Sequence, residues 1–182
     1  GHSLGATVAL QFSLDYPDRI KGLILIASGG YPAKSKPGIL SLNRYEIPGA
    51  IIMSFSSYPF VMRSTLKSMY YDPSAISDEV VQELCAIYRT PNSRQAMYWM
   101  PRALNWDFAI ADPKRIPTIS APTLIIWGRE DMVVHPDTAL RFHQDIDHST
   151  LVLINEAGHM VHEGQPEQVN RAILDFSSRI QY

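Results

Sequence analysis

The sequence predicts an α/β fold in which parallel strands with flanking helices are interrupted by an inserted helical segment. Three observations carry that prediction. Apolar runs at 20–27, 123–127 and 150–154 are rich in Ile, Leu and Val, as strands buried on both faces should be. Helical patterns lie between and after the second and third runs, and a strand–helix–strand order calls for parallel pairing. Between the first and second runs, over 31–118, no such alternation exists.

Residues 6–16 carry Val8, Ala9 and Phe12 at helical spacing and stop at Pro17, whose ring disfavours helix at the preceding residue. Ser3 then sits at that helix's N-terminal edge. The run 20–27 then ends at Ser28-Gly29-Gly30. Within the insert, Ser77 is an N-cap, Asp78 and Glu79 suit the first turn, and Val81, Leu84, Cys85 and Tyr88 form one apolar stripe. Pro91-Asn92-Ser93 starts another helix, ended or kinked near Pro101. Gly128 closes the second run, 138–142 reads as helical, and Pro166 opens a last helix with Val169, Ala172, Ile173 and Phe176 on one face.

A chain of 182 residues accommodates one core, here 1–30 with 119–182, plus an insertion at 31–118. Hydrophobic residues at 46% and charged residues at 19% are those of an ordinary globular domain, so a packed core is expected. The net charge is -2 and Lys and Arg form no run, which argues against a nucleic-acid partner. Cys85 is the only cysteine and cannot form an internal disulfide, a composition compatible with a reducing, cytoplasmic setting. No stretch approaches the roughly 18 apolar residues of a membrane span, since even 49–62 is broken by Ser54, Ser56, Ser57 and Pro59. No membrane partner is expected.

Chemistry concentrates in three short motifs. Gly1-His2-Ser3-Leu4-Gly5 has the G-x-S-x-G pattern of a strand-to-helix corner that thrusts a serine hydroxyl into the open; glycines on either side make room for neighbouring backbone. A serine is a poor nucleophile without a base. Ala157-Gly158-His159 follows the third apolar run directly, which makes His159 the expected base, with His162 its rival. Gly128-Arg129-Glu130-Asp131 ends the second run where a carboxylate can hold the base's tautomer; Asp131 is the expected acid and Glu130 a solvated loop charge. A His159-x-x-His162 metal pair has no cysteine or HExxH partner, so no metal is expected.

These motifs, with Trp127-Gly128-Arg129-Glu130-Asp131 and Ala157-Gly158-His159-Met160 in full, resemble the α/β-hydrolase superfamily and, within it, the capped serine esterase, lipase and carbon–carbon hydrolase branch. The resemblance covers about residues 1–30 and 119–182; the insert matches only in position, as a helical cap. Ala6 stands where many relatives have a second glycine, and Gly164 where an acidic residue is common, with Glu163 one place earlier. A serine at the nucleophile position argues against relatives of the haloalkane dehalogenase and epoxide hydrolase kind. The resemblance implies acyl transfer to water by Ser3, His159 and Asp131 without a cofactor, and an oxyanion donor at the Leu4 N–H. It also implies a second donor from an N-terminal half of the same fold, whose fifth strand runs into Gly1 and pairs with 20–27. The implied partner is a small-molecule substrate. The insert holds 12 of the 18 aromatic residues and 5 of the 7 methionines, which favours an apolar acyl or aryl group. His2, Trp99, Trp106 and Met160 are candidate pocket residues, while Met53, Met62, Tyr70, Tyr98 and Trp99 equally suit the insert's own core. An acyltransferase, a perhydrolase, a carbon–carbon hydrolase and a slow ligand receptor are alternatives on the same fold.

Overall fold

The computed structural model describes residues 1–32, 55–103 and 111–180, the side chains of 100–103 excepted. Strands β1 (Leu23–Ile26), β2 (Thr123–Gly128) and β3 (Ser149–Ile154) form a parallel sheet in the order β1-β2-β3. Leu23 lies opposite Thr123, and Thr123 opposite Ser149. β2 is central and therefore buried along its whole length. β1 is shorter than the run 20–27 for two local reasons. A 3-10 turn at Pro17–Arg19 precedes it, and Ala27 leaves the strand in a left-handed conformation, φ 46°. On the outer edge of β1, His2 bridges Ile26 in parallel, the Gly1 amino group donates to Ile24 O at 2.9 Å, and Ile26 N–H donates to Gly1 O at 2.9 Å. Gly1 and His2 therefore lie alongside β1 in a parallel bridge as the chain enters the elbow.

Helix α1 (Leu4–Asp15) follows at once. It buries Ala6, Thr7, Leu10, Ser13 and Leu14, whereas Val8 and Phe12 are exposed and Phe12 rests against Tyr16. Of the three residues at helical spacing, Ala9 alone packs against the core. The helix is apolar nearly all round, so spacing alone does not select a face; the anchoring of Ser3 at its start does. After β1 come α2 (Pro59–Lys67), α3 (Asp78–Arg89) and α4 (Pro91–Ala103), then β2, α5 (Asp137–Asp145), β3, the short α6 (Val161–Gly164) and α7 (Pro166–Arg179). α4 ends two residues past Pro101. No helix among the described residues is long and apolar enough to cross a membrane.

The sheet separates two cores. Leu10, Leu25, Ile125, Trp127 and Phe142 pack on one face; Ile26, Leu124, Ile126, Val169 and Phe176 pack on the other. Alternation along β1 and β2 assigns each residue to its side. Each fully buried Leu or Ile contributes about 1.5–3 kcal/mol. Trp127 avoids an unpaired donor because its Nε1–H donates to Val134 O at 2.9 Å. The inserted helices have a third core of Met62, Leu66, Tyr70, Ile76, Val81 and Cys85. There the Ser77 hydroxyl caps α3, accepting from Val80 N–H at 3.2 Å.

Candidate active site

Ser3 occupies the corner between the bridge residue His2 and α1. Its φ of 50° with ψ of -121° is a conformation that costs a non-glycine residue on the order of 1–3 kcal/mol and persists only where neighbours enforce it. Two neighbours do so. Ser3 N–H donates to Ile26 O at 2.9 Å, and a Cβ on Gly1 would lie 2.5 Å from Gly5 O and 2.7 Å from Ala6 N. Gly1 is thus required by close backbone approach. Gly5 is not, because no described atom lies within 4 Å of where its Cβ would stand. The collision expected on both sides of the serine occurs on one.

His159 is buried in the loop between β3 and α6, and it joins the other two motifs. Its Nε2 lies 2.9 Å from Ser3 Oγ and its Nδ1 2.8 Å from Asp131 Oδ2. A carboxylate only accepts, so Nδ1 carries the proton and Nε2 is free to accept from the serine. Asp131 is 1% exposed. Its second oxygen, Oδ1, accepts from Val133 N–H at 2.8 Å and Val134 N–H at 2.9 Å. The sequence reading missed those two donors; the signal for them is an aspartate opening a turn, which bonds the backbone two or three residues on.

The remaining candidates separate. His162 makes no hydrogen bond to Ser3; its Nδ1 is buried without a partner, Nε2 faces Glu163 Oε1 at 3.7 Å, and burial lowers its pKa. His2 turns toward the histidine loop, where its ring lies 4.9 Å from that of His159 and 4.4 Å from that of His162, with Nε2 2.9 Å from His159 O. Burial pushes the His2 pKa down to about 4. Glu130 is more than a solvated charge: its Oε2 accepts from Ala157 N–H at 3.1 Å. Leu4 is the first residue of α1, whose first-turn N–H groups have no acceptor inside the helix. Trp99 is 54% exposed, and Trp106 and Met53 lie outside the described residues.

The insert meets this site through the segment 69–71. Met160 N–H donates to Met69 O at 3.1 Å, and the Tyr70 hydroxyl donates to Glu163. A Cβ on Gly158 would lie 2.6 Å from Met69 O. Met160 itself packs against the insert's core. A cavity of about 190 Å³ behind this junction is lined by Tyr71, Asp72, Glu156, Gly158 and Met160; neither Ser3 nor His159 reaches it.

Comparison with known proteins bears on the fold. A hydrolase of Comamonas testosteroni named for 2-hydroxy-6-oxononadienedioate and 2-hydroxy-6-oxononatrienedioate is 32% identical over 181 residues, which is 97% of this chain and 60% of that protein. An uncharacterized hydrolase of Bacillus subtilis is 28% identical over 176 residues, 97% of this chain and 63% of its own. The solved meta-cleavage product hydrolase from Pseudomonas fluorescens IP01 is similar in fold, with a TM-score of 0.84 at 24% identity over 100% of this chain and 64% of that one. The chain thus spans about three fifths of the length of the curated relatives it matches. Residues 1–166 match the family described as alpha/beta hydrolase fold, and the chain belongs to that family.

Proposed function

We propose that Ser3, His159 and Asp131 are the nucleophile, base and acid of a serine hydrolase that cleaves a carboxylic ester, or a related acyl bond, of a small and largely apolar substrate. The observation that carries this reading is the continuous hydrogen-bond chain from Asp131 through His159 to Ser3, at 2.8 and 2.9 Å. As Ser3 Oγ attacks a carbonyl carbon, His159 Nε2 takes its proton and Asp131 stabilises the resulting imidazolium. The proton then passes to the leaving alcohol, and water repeats the sequence on the acyl-enzyme. The Leu4 N–H, at the positive end of α1, is a donor to the oxyanion; one such donor contributes about 100- to 1000-fold in kcat. The inserted helices, within 31–118, act as the cap that selects the acyl group.

A series of p-nitrophenyl esters of increasing acyl length tests this reading in the full-length protein. A burst of nitrophenol, absent in Ser3→Ala, is expected. No burst and no turnover at any chain length would sink the ester assignment. The names of the Comamonas testosteroni and Pseudomonas fluorescens relatives favour a second reading, carbon–carbon bond hydrolysis of a 2-hydroxy-6-oxo-dienoate. Faster consumption of such a dienoate than of every ester would select it.

A further inference from the structure

We infer that the base is held by a two-point brace in which His2 and Glu130, the residues immediately before the nucleophile and the acid, are positioning residues for the histidine loop. The inference rests on the assignment of Ser3, His159 and Asp131 proposed above. His2 Nε2 donates to His159 O at 2.9 Å; on the opposite side Glu130 Oε2 accepts from Ala157 N–H at 3.1 Å, and Glu130 N–H donates to Ala157 O at 3.1 Å. Neither side chain hydrogen-bonds to Ser3 Oγ or to the Asp131 carboxylate.

The loop needs such support. It lies between β3 and α6, outside regular structure, and Glu156 just upstream has a left-handed φ of 54°. The His159 ring must nevertheless meet two partners at once, on segments that lie 156 and 28 residues away. Its own two ring bonds orient the imidazole, and Met160 N–H, donating to Met69 O, ties the far end of the loop to the insert; the backbone at 157 and 159 needs ties of its own. His2 ties that backbone to the elbow and Glu130 ties it to the acid loop. The two ties fall on residues 159 and 157, and the gap they bracket is Gly158, which has no side chain to pack. His2 is suited to the task because burial keeps it neutral near neutral pH, with one proton, and a carbonyl partner fixes that proton on Nε2. The two points are unequal. His2 is half-buried whereas Glu130 is exposed, so water competes with the second tie more than with the first.

The test measures kcat, KM and Tm in the full-length protein. His2→Leu is expected to lower kcat by about 10- to 100-fold with KM within about threefold of the parent, since a misplacement near 1 Å costs on that scale. Glu130→Ala is expected to lose about 3- to 10-fold. Gln at either position restores most of the loss, because its amide donates where His2 Nε2 does and accepts where the Glu130 carboxylate does. His2→Asn, polar but too short to reach the carbonyl, replaces His2→Leu if that variant does not fold, and shares its expected loss. Unchanged kcat in the His2 and Glu130 truncations overturns the brace. So does a kcat loss that follows Tm and that Gln does not restore. Full activity in Ser3→Ala overturns the triad and the brace together, whereas an inactive Ser3→Ala beside unaffected brace variants overturns the brace alone.

Discussion

At the strand ends the three residues proposed for the chemistry are each fixed by directed bonds: Ser3 to the edge of β1, Asp131 to three donors, His159 to an acid and a hydroxyl. In the inserted helices the core of Met62, Leu66, Ile76, Val81 and Cys85 is held by apolar contact, the Tyr70 hydroxyl bond to Glu163 apart, and Phe60 and Trp99 are 83% and 54% exposed. The difference is one of tolerance. Hydrogen bonds between buried groups fail steeply when a partner moves, while apolar surfaces repack around a change of similar volume. On the assignment proposed above, a site built this way holds its reaction geometry rigidly while the substrate it admits can vary.

The comparison breaks most severely at the strand ends. Ser3→Ala and His159→Ala should each reduce ester turnover by about a million-fold, and Asp131→Asn by about ten-thousand-fold, as steady-state rates on an activated ester would measure. If Asp131→Asn is instead milder than Glu130→Gln, the acid is wrongly assigned.

Next in size is Gly128→Ala. The added Cβ would stand 2.1 Å from Ala157 O and 2.4 Å from Gly158 O, so the acid loop and histidine loop must part. A loss of about 1–3 kcal/mol in denaturant unfolding is expected, with a disproportionate fall in kcat. Trp99→Ala in the insert should show the opposite balance, with an unchanged Tm and a few-fold change in KM across the acyl series. A collapse of kcat there would mean that the insert carries reaction geometry as well as selectivity.

The smallest effect is that of pH on stability. Folded His2 refuses its proton down to about 4, whereas the unfolded chain takes it up near 6.5. The unfolded state therefore binds more protons across that window, and stability rises with pH through it and is lost on acidification. Burial of His162 acts in the same direction. Burial raises Tyr70 and Tyr88 in the insert, so the unfolded chain deprotonates first above about pH 10 and stability falls as pH rises further. Thermal melts from pH 5 to 11 should show both slopes, the acid one reduced in His2→Gln.

Which of these features was legible in the sequence follows from the range of the interactions. The three apolar runs became β1, β2 and β3 because burial on both faces writes itself into consecutive residues. Ser3, Asp131 and His159 were found at strand ends from their local motifs, and those motifs do place them within hydrogen-bond distance. The buried face of α1 was not legible, since an almost uniformly apolar helix has no preferred side until the elbow orients it. The bond from Glu130 to Ala157 N–H and the link from Tyr70 to Glu163 were hidden for another reason: they join residues 27 and 93 positions apart, and no local pattern encodes such a meeting.

The backbone contact between Met69 and the loop around Gly158 bears on how such enzymes diversify. Exchanging the whole insert for that of another hydrolase would replace the carbonyl that receives Met160 N–H and the surface that excludes a Cβ at Gly158. A chimera would then change rate and selectivity together, whatever its new pocket looked like. Grafts that retain 69–71 from this chain and vary only the flanking helices should uncouple the two, which makes those three residues a natural seam for recombination.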